Sequence, residues 1–394
     1  MIHITNKTNK KLFPALATSL LALSFLPACS FEKATSANDK VTTKVTAVQT
    51  KLDSTTQSQN NPTQSNSALA ASQNTLFAAD LAKPAVVKVI SGCITEVSFR
   101  DKVYESASNG QGSGFFASSD GYVVTNAHVV EEHKNPQICV DRLRQDLIYQ
   151  IAEDLGVSPY EILNNSEEMQ EIEQSFQDAR IQLVNEVELP NGNTLNFDVK
   201  AYGAPIGEGK DVAVIKVQIR NAPVLKLADS ELVKTQDQIV ALGYPYLELG
   251  GLFDKTSEGE VTISKGEISS TNKQLPDGST ALQFNAAVTN GNSGGPVLNE
   301  QGEVVGITTF GPGNIDGVAF AVTSNTIMEF VRQAGTTNEQ GIVDQLYKEA
   351  LQAYNQGEYS QAIEKFETVQ RLFPQHSEID EYVQAAEEKM IAAK

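Results

Sequence analysis

The sequence has no tryptophan, and only four histidines and three cysteines among its 394 residues. The histidines form no H-E-x-x-H helix and the cysteines no C-x-x-C pair, so no zinc site is expected, and no other metal or cofactor. Positive charge is short as well: 30 Lys and Arg stand against 49 Asp and Glu, for a formal charge of −19. No basic stripe with interleaved aromatics offsets this, so nucleic acid is not expected as a partner, and an anionic surface would repel the chain. Long apolar runs are also missing. The stretch from Ala15 to Leu26, "ALATSLLALSFL", is too short to cross a bilayer, which takes about 20 residues.

That stretch has the length of a secretory h-region, and Lys7, Lys10 and Lys11 supply the positive segment before it, so residues 1–28 read as a signal peptide. The following Leu26-Pro27-Ala28-Cys29 resembles the lipobox of bacterial lipoproteins, in which cleavage precedes the cysteine and its thiol is acylated, as with palmitate. A plain signal peptide cut after Ala28 or further on is the alternative. The resemblance implies an exported, membrane-anchored lipoprotein at Cys29, facing the periplasm or the cell exterior. If Cys29 carries lipid, Cys93 and Cys139 remain as an even pair that an oxidising compartment would let join; two free thiols are the alternative.

Residues 29–75 are rich in Ser, Thr, Asn, Gln and Ala, as in "DSTTQSQNNPTQSNS", and bury too little apolar surface to offset chain entropy. They read as a disordered polar linker. From 76 to 335 short apolar runs such as "AVVKVI", "GYVVTNAHVV", "VAVIKVQI" and "GEVVGITTF" alternate with Gly-bearing turns, which predicts a mainly β domain of barrels or sandwiches. An interruption at about 141–183 has helical periodicity. Leu147, Ile148, Ile151 and Leu155 share one face before Gly156, Ser158 to Glu161 offers a capping box, and Met169, Ile172, Phe176, Ala179 and Leu183 form another stripe. Between Asp141 and Pro190 twelve acids face three bases, so this insertion is strongly negative outside. In the final segment, 336–394, Ala350, Gly357, Tyr359, Ala362, Phe366, Val369 and Pro374 stand at the offsets of a tetratricopeptide repeat; a plain helical hairpin is the alternative.

The stretch "VTNGNSGGPVL", Val288 to Leu298, crowds small and turn-forming residues around Ser293. A nucleophilic hydroxyl needs a base, a group that orients the base, and backbone N–H donors for a developing oxyanion. Gly291 and Gly294 would let the chain turn sharply enough for the N–H groups of Gly291 and Ser293 to share one small hole. Of the four histidines, His128 in "VVTNAHVV" directly follows a strand that could hold its ring. Asp211 in "GKDVAVIKV" abuts an apolar run and would be drawn inward, where a carboxylate requires partners.

Taken in order, "GSGFF", "TNAHVV", "DVAVIKV", "ALGYP", "SKGEIS", "GNSGGPVLNEQGEVVGITT" and "VAFAV" resemble trypsin-like serine proteases of the Deg/HtrA type. The resemblance covers about two thirds of the chain. It implies a chymotrypsin-like pair of six-stranded β-barrels, here with an acidic helical insertion and a C-terminal helical segment where the family typically has a PDZ domain. It also implies a serine endopeptidase acting on unfolded or misfolded secreted proteins through His128, Asp211 and Ser293. Ala287 would floor the first specificity pocket, Asn290 would shape the oxyanion loop, and Ile307, Thr308 and Thr309 would pair with the substrate backbone. The other reading is a lipid-tethered scaffold, or a latent protease activated by a partner, whose insertion and C-terminal helices bind protein.

Overall fold

The computed structural model describes residues 3–5, 77–177, 179–246, 260–309 and 317–392. Cys29, the 29–75 segment and most of the expected signal peptide lie outside the described residues.

Strands buried along most of their length build two closed barrels. The first joins β2 (Val86–Phe99), β3 (Lys102–Phe116), β4 (Tyr122–Thr125), β7 (Ala213–Val217), β6 (Thr194–Tyr202) and β5 (Arg180–Glu188), the last two pairing to complete the ring. A short strand β1 (His3–Thr5) runs parallel to β5, and a helix α1 (77–82) leads toward β2. The second barrel has the order β10 (Thr280–Phe284), β13 (Ala319–Thr323), β12 (Val304–Thr308), β11 (Pro296–Leu298), β8 (Gln238–Gly243) and β9 (Thr262–Gln274). The architecture is therefore the pair of six-stranded barrels that the sequence implies. Between them one apolar cluster draws Phe115 and Val214 from the first barrel, Leu242, Ile307 and Val322 from the second, and Ile327, Phe330 and Val331 from helix α6 (Ser324–Gln333). Because that cluster is shared, the barrels hold a fixed cleft, and side chains on either side of it keep their spacing.

Strands β2 and β3 pair without a break from Val86 opposite Phe115 to Phe99 opposite Lys102. Their outer halves project beyond the barrel and carry the helical insertion: α2 (Glu131–Lys134), α3 (Pro136–Leu155), α4 (Pro159–Asn164) and α5 (Ser166–Gln177). These helices start and stop earlier than 141–183. Asn135 caps α3, accepting from Gln137 N at 3.3 Å, with Pro136 at the first helical position. At the other end Ala179 lies just before β5 and Leu183 within it, yet both still contact the insertion's core. Gly156 ends α3 at φ 68°, and Ser158 caps α4 as the sequence suggests.

Inside the insertion Cys93 of β2 and Cys139 of α3 are joined as a disulfide. The C-terminal helices α7 (Ile342–Asn355), α8 (Tyr359–Leu372) and α9 (Ile379–Ala392) pack on the first barrel. Ala350, Ala362, Phe366 and Val369, picked out by their offsets, are all buried there.

Candidate active site

Strands β4 and β7 are antiparallel, with Thr125 opposite Ala213. The residues just after β4 and just before β7 therefore emerge at the same end of the barrel, and these are His128 and Asp211. His128 opens a 3-10 turn, and Asp211 is completely buried. One carboxylate oxygen, Oδ2, takes His128 Nδ1 at 2.8 Å and the Thr309 hydroxyl at 2.6 Å, while Oδ1 takes the His128 backbone N–H at 3.0 Å. Three donors compensate the desolvation of the charge. Donation from Nδ1 leaves Nε2 as the ring atom with a free lone pair, the state a base requires. Asn126 steadies the same corner by donating its amide to Asp211 O at 2.7 Å.

Ser293 enters from the second barrel, on the connection between β10 and β11. Its carbonyl accepts from Ser113 N of β3 at 2.7 Å, so the serine is tied across the cleft. Gly294 has φ 84°, and a side chain there would strike Ser113 O and the Thr125 hydroxyl; only glycine fits. The Ser293 hydroxyl donates to Thr309 O at 3.2 Å. Around it the peptide planes are set by their carbonyls. Asn290 O accepts from Tyr246 N at 2.7 Å, and Asn292 O accepts from Gly295 N at 2.9 Å. The N–H of Gly291 and that of Ser293 belong to those same trans peptides and so point the opposite way, where neither meets a partner among the described residues. Two undedicated donors beside one hydroxyl are what an oxyanion needs.

Residues 112–307 match the family model of the trypsin-like peptidase domain. A curated relative from Rhizobium meliloti, "Probable periplasmic serine endoprotease DegP-like", is 32% identical over 228 residues, which is 56% of this chain and 32% of the relative. "Putative serine protease HhoB" of a Synechocystis species is 31% identical over 218 residues, 55% of this chain and 38% of the relative. Residues 112–307 form a trypsin-like peptidase domain, similar to that of relatives of the Deg/HtrA type. The match spans only about a third of the length of these curated relatives. Among solved structures, "HtrA-type protease AlgW with decapeptide" superposes with a TM-score of 0.43 at 19% identity, covering 66% of this chain and 67% of that one.

Within this peptidase domain the remaining site residues fall as follows. Ala287 and Asn290 are exposed on the approach to Ser293. Ile307 lies in register between Pro296 and Val322, and Thr308 uses its N–H on Gly295 O at 2.9 Å and its carbonyl on Gly294 N at 2.8 Å. Both are therefore occupied within the barrel, as is the Thr309 N–H, which donates to Phe320 O at 3.0 Å; the Thr309 carbonyl, which takes the Ser293 hydroxyl, is what this strand turns toward the site. Sequence reading assigned Thr309 to that strand and missed its hydroxyl on Asp211. It also passed over Ser113, whose only signal was its place between two glycines in "GSGFF". The other described histidines stand apart from the site. His133 packs edge-on to Phe197, and burial lowers its pKa; His376 lies inside the C-terminal helices.

Proposed function

We propose that the chain is a serine endopeptidase that cleaves exposed segments of unfolded or misfolded secreted proteins. The observation that carries this reading is the single buried carboxylate of Asp211 shared by His128 and Thr309, next to a serine flanked by two unengaged N–H groups. In this reading Ser293 Oγ attacks the scissile carbonyl while His128 Nε2 takes its proton. The imidazolium, steadied by Asp211, then passes the proton to the leaving amine, and water releases the acyl group by the reverse sequence. Gly291 and Ser293 N–H hold the oxyanion. The substrate strand lies against Thr309, and the uncharged Ala287 at the pocket favours small or medium aliphatic side chains over basic ones. The periplasmic naming of the relatives supports an exported protein; we place its lipid anchor at Cys29 after a signal over 1–28 and a linker over 29–75.

The test is cleavage of reduced casein by the chain and by Ser293→Ala, with both checked for folding by circular dichroism. Loss of the nucleophile should lower turnover by about 10⁶. Equal cleavage by the variant would remove Ser293 from the mechanism.

One observation favours a second reading, a latent protease awaiting a partner: the Ser293 hydroxyl donates to the Thr309 carbonyl. In that case fluorophosphonate labelling of Ser293 is slow for the chain alone and rises when a partner engages the insertion or the C-terminal helices. Fast labelling of the isolated chain rejects latency.

A further inference from the structure

The loop that presents the two unengaged N–H groups turns on Gly291, at φ 91°. A glycine there is required, since a side chain would run into the backbone at Tyr244 and Tyr246. The same freedom that admits this conformation also makes it cheap to leave, so both peptide planes flanking Gly291 must be pinned from outside the loop. Tyr246 N pins the plane before it by holding Asn290 O at 2.7 Å. The plane after it is pinned from the other barrel.

That pin is Ser113 of β3, a completely buried residue. Its hydroxyl donates to Gly291 O at 2.7 Å and accepts from Tyr244 N at 2.8 Å. Its backbone N–H holds Ser293 O at 2.7 Å, and its carbonyl takes the Thr125 hydroxyl at 2.7 Å. Among the described residues no other side chain joins the first barrel, Tyr244 and the Gly291 loop at once. We infer that Ser113 is a positioning residue for the oxyanion: its hydroxyl ties the Gly291–Asn292 peptide to Tyr244, and with Tyr246 holding the Asn290–Gly291 peptide it fixes the turn at Gly291 that aims the Gly291 N–H at the site. The inference rests on the peptidase reading above.

A merely structural residue and an oxyanion-positioning residue differ in what their loss weakens. Gln111, the neighbour two residues earlier on β3, donates its side-chain amide to Tyr244 O at 3.2 Å and so links the same barrels without touching the Gly291 loop. Gln111→Ala is thus the structural control for Ser113→Ala. The full chain and both variants are compared for casein cleavage, for inhibition by a peptide aldehyde, which forms a tetrahedral oxyanion on Ser293, and for inhibition by the matching peptide acid, which does not.

For Ser113→Ala we expect kcat and aldehyde affinity to fall by about tenfold to a hundredfold, below the full loss of about 10²–10³ for removing an oxyanion donor. KM and peptide-acid affinity should change less than about threefold, and Gln111→Ala should stay near the parent in all four. If Ser113→Ala does not fold, Ser113→Cys supplies the same comparison, because its thiol fills the space but donates weakly. Equal losses of aldehyde and acid affinity overturn the positioning role and leave the peptidase reading standing. A parent chain that neither cuts casein nor reacts with the aldehyde overturns the peptidase reading and the inference with it.

Discussion

The first barrel carries two helical additions built on opposite plans. The insertion α2–α5 has its own small core, in which Leu143, Leu147, Ile151, Ile162, Ile172 and Phe176 pack against the projecting ends of β2 and β3. It is fastened by the Cys93–Cys139 bridge and by surface pairs such as Lys102 with Asp154 at 2.6 Å and Arg100 with Glu171 at 3.1 Å. The C-terminal helices have no such separate core. Val343, Tyr347, Ala350, Phe366 and Val369 belong to the same cluster as Val87, Phe116, Phe197 and Ile215 of the barrel. An addition with its own core can loosen while the barrel keeps its packing; one that shares the core cannot.

The largest test of this contrast is Phe366→Ala. Phe366 is fully buried and stacks on Tyr382 with ring centroids 5.3 Å apart. Its loss should cost about 3–5 kcal/mol, seen as one cooperative transition in which the barrel and the helices unfold together. Separate transitions, with the barrel unmoved, would show that the C-terminal helices are an independent unit.

Next in size is the double change Cys93→Ser and Cys139→Ser. The bridge closes a loop of 46 residues, and its removal typically costs about 2–4 kcal/mol. Here the cost should be local. Amide exchange should rise across α3–α5 and stay unchanged in β4 and β7, which hold the candidate site. Faster exchange throughout the barrel would mean that the two additions are fastened alike.

Much of this was legible because local sequence and tertiary structure agree. Alternating apolar runs gave the strands, Gly156 and Ser158 gave helix ends, and the three motifs around His128, Asp211 and Ser293 pointed to the candidate site by their chemistry. What could not be read lay in long-range contact. Thr309 reaches Asp211 across 98 positions of sequence, and Ser113 reaches Gly291 across 178. The helix boundary at Pro136 was missed because the apolar stripe begins only at Val140 and Leu143; the Asn135 cap decides it. His376 falls in the C-terminal segment with no apolar period of its own, yet it is buried against Tyr347, with ring centroids 4.4 Å apart. Nothing in its neighbours signals that α7 returns over it.

That burial yields the smallest and most selective test of the shared core. Desolvation pushes the His376 pKa down to about 3; its Nδ1 accepts only a 3.4 Å bond from Glu378 N, and Nε2 has no partner among the described residues. Below an unfolded value of about 6.5 the unfolded chain binds the proton and the folded one does not, so stability falls with pH, by about 2 kcal/mol between pH 7 and 5. Asp344 at the start of α7 opposes this. Burial raises its pKa to about 6, although Val224 N and Gly341 N, each at 2.7 Å, pull the other way. The folded state therefore takes up that proton first, which adds about 1 kcal/mol over the same interval. The two partly offset, leaving a net fall of about 1 kcal/mol in the parent. In His376→Leu the remaining term should make urea stability rise by about 1 kcal/mol between pH 7 and 5, where the parent's falls by about 1, and in Asp344→Asn stability should fall by about 2. Because both groups sit in a core continuous with the barrel, the shifts should appear in the barrel's own unfolding. If the variants' pH dependences match the parent's, the C-terminal helices are not coupled to it.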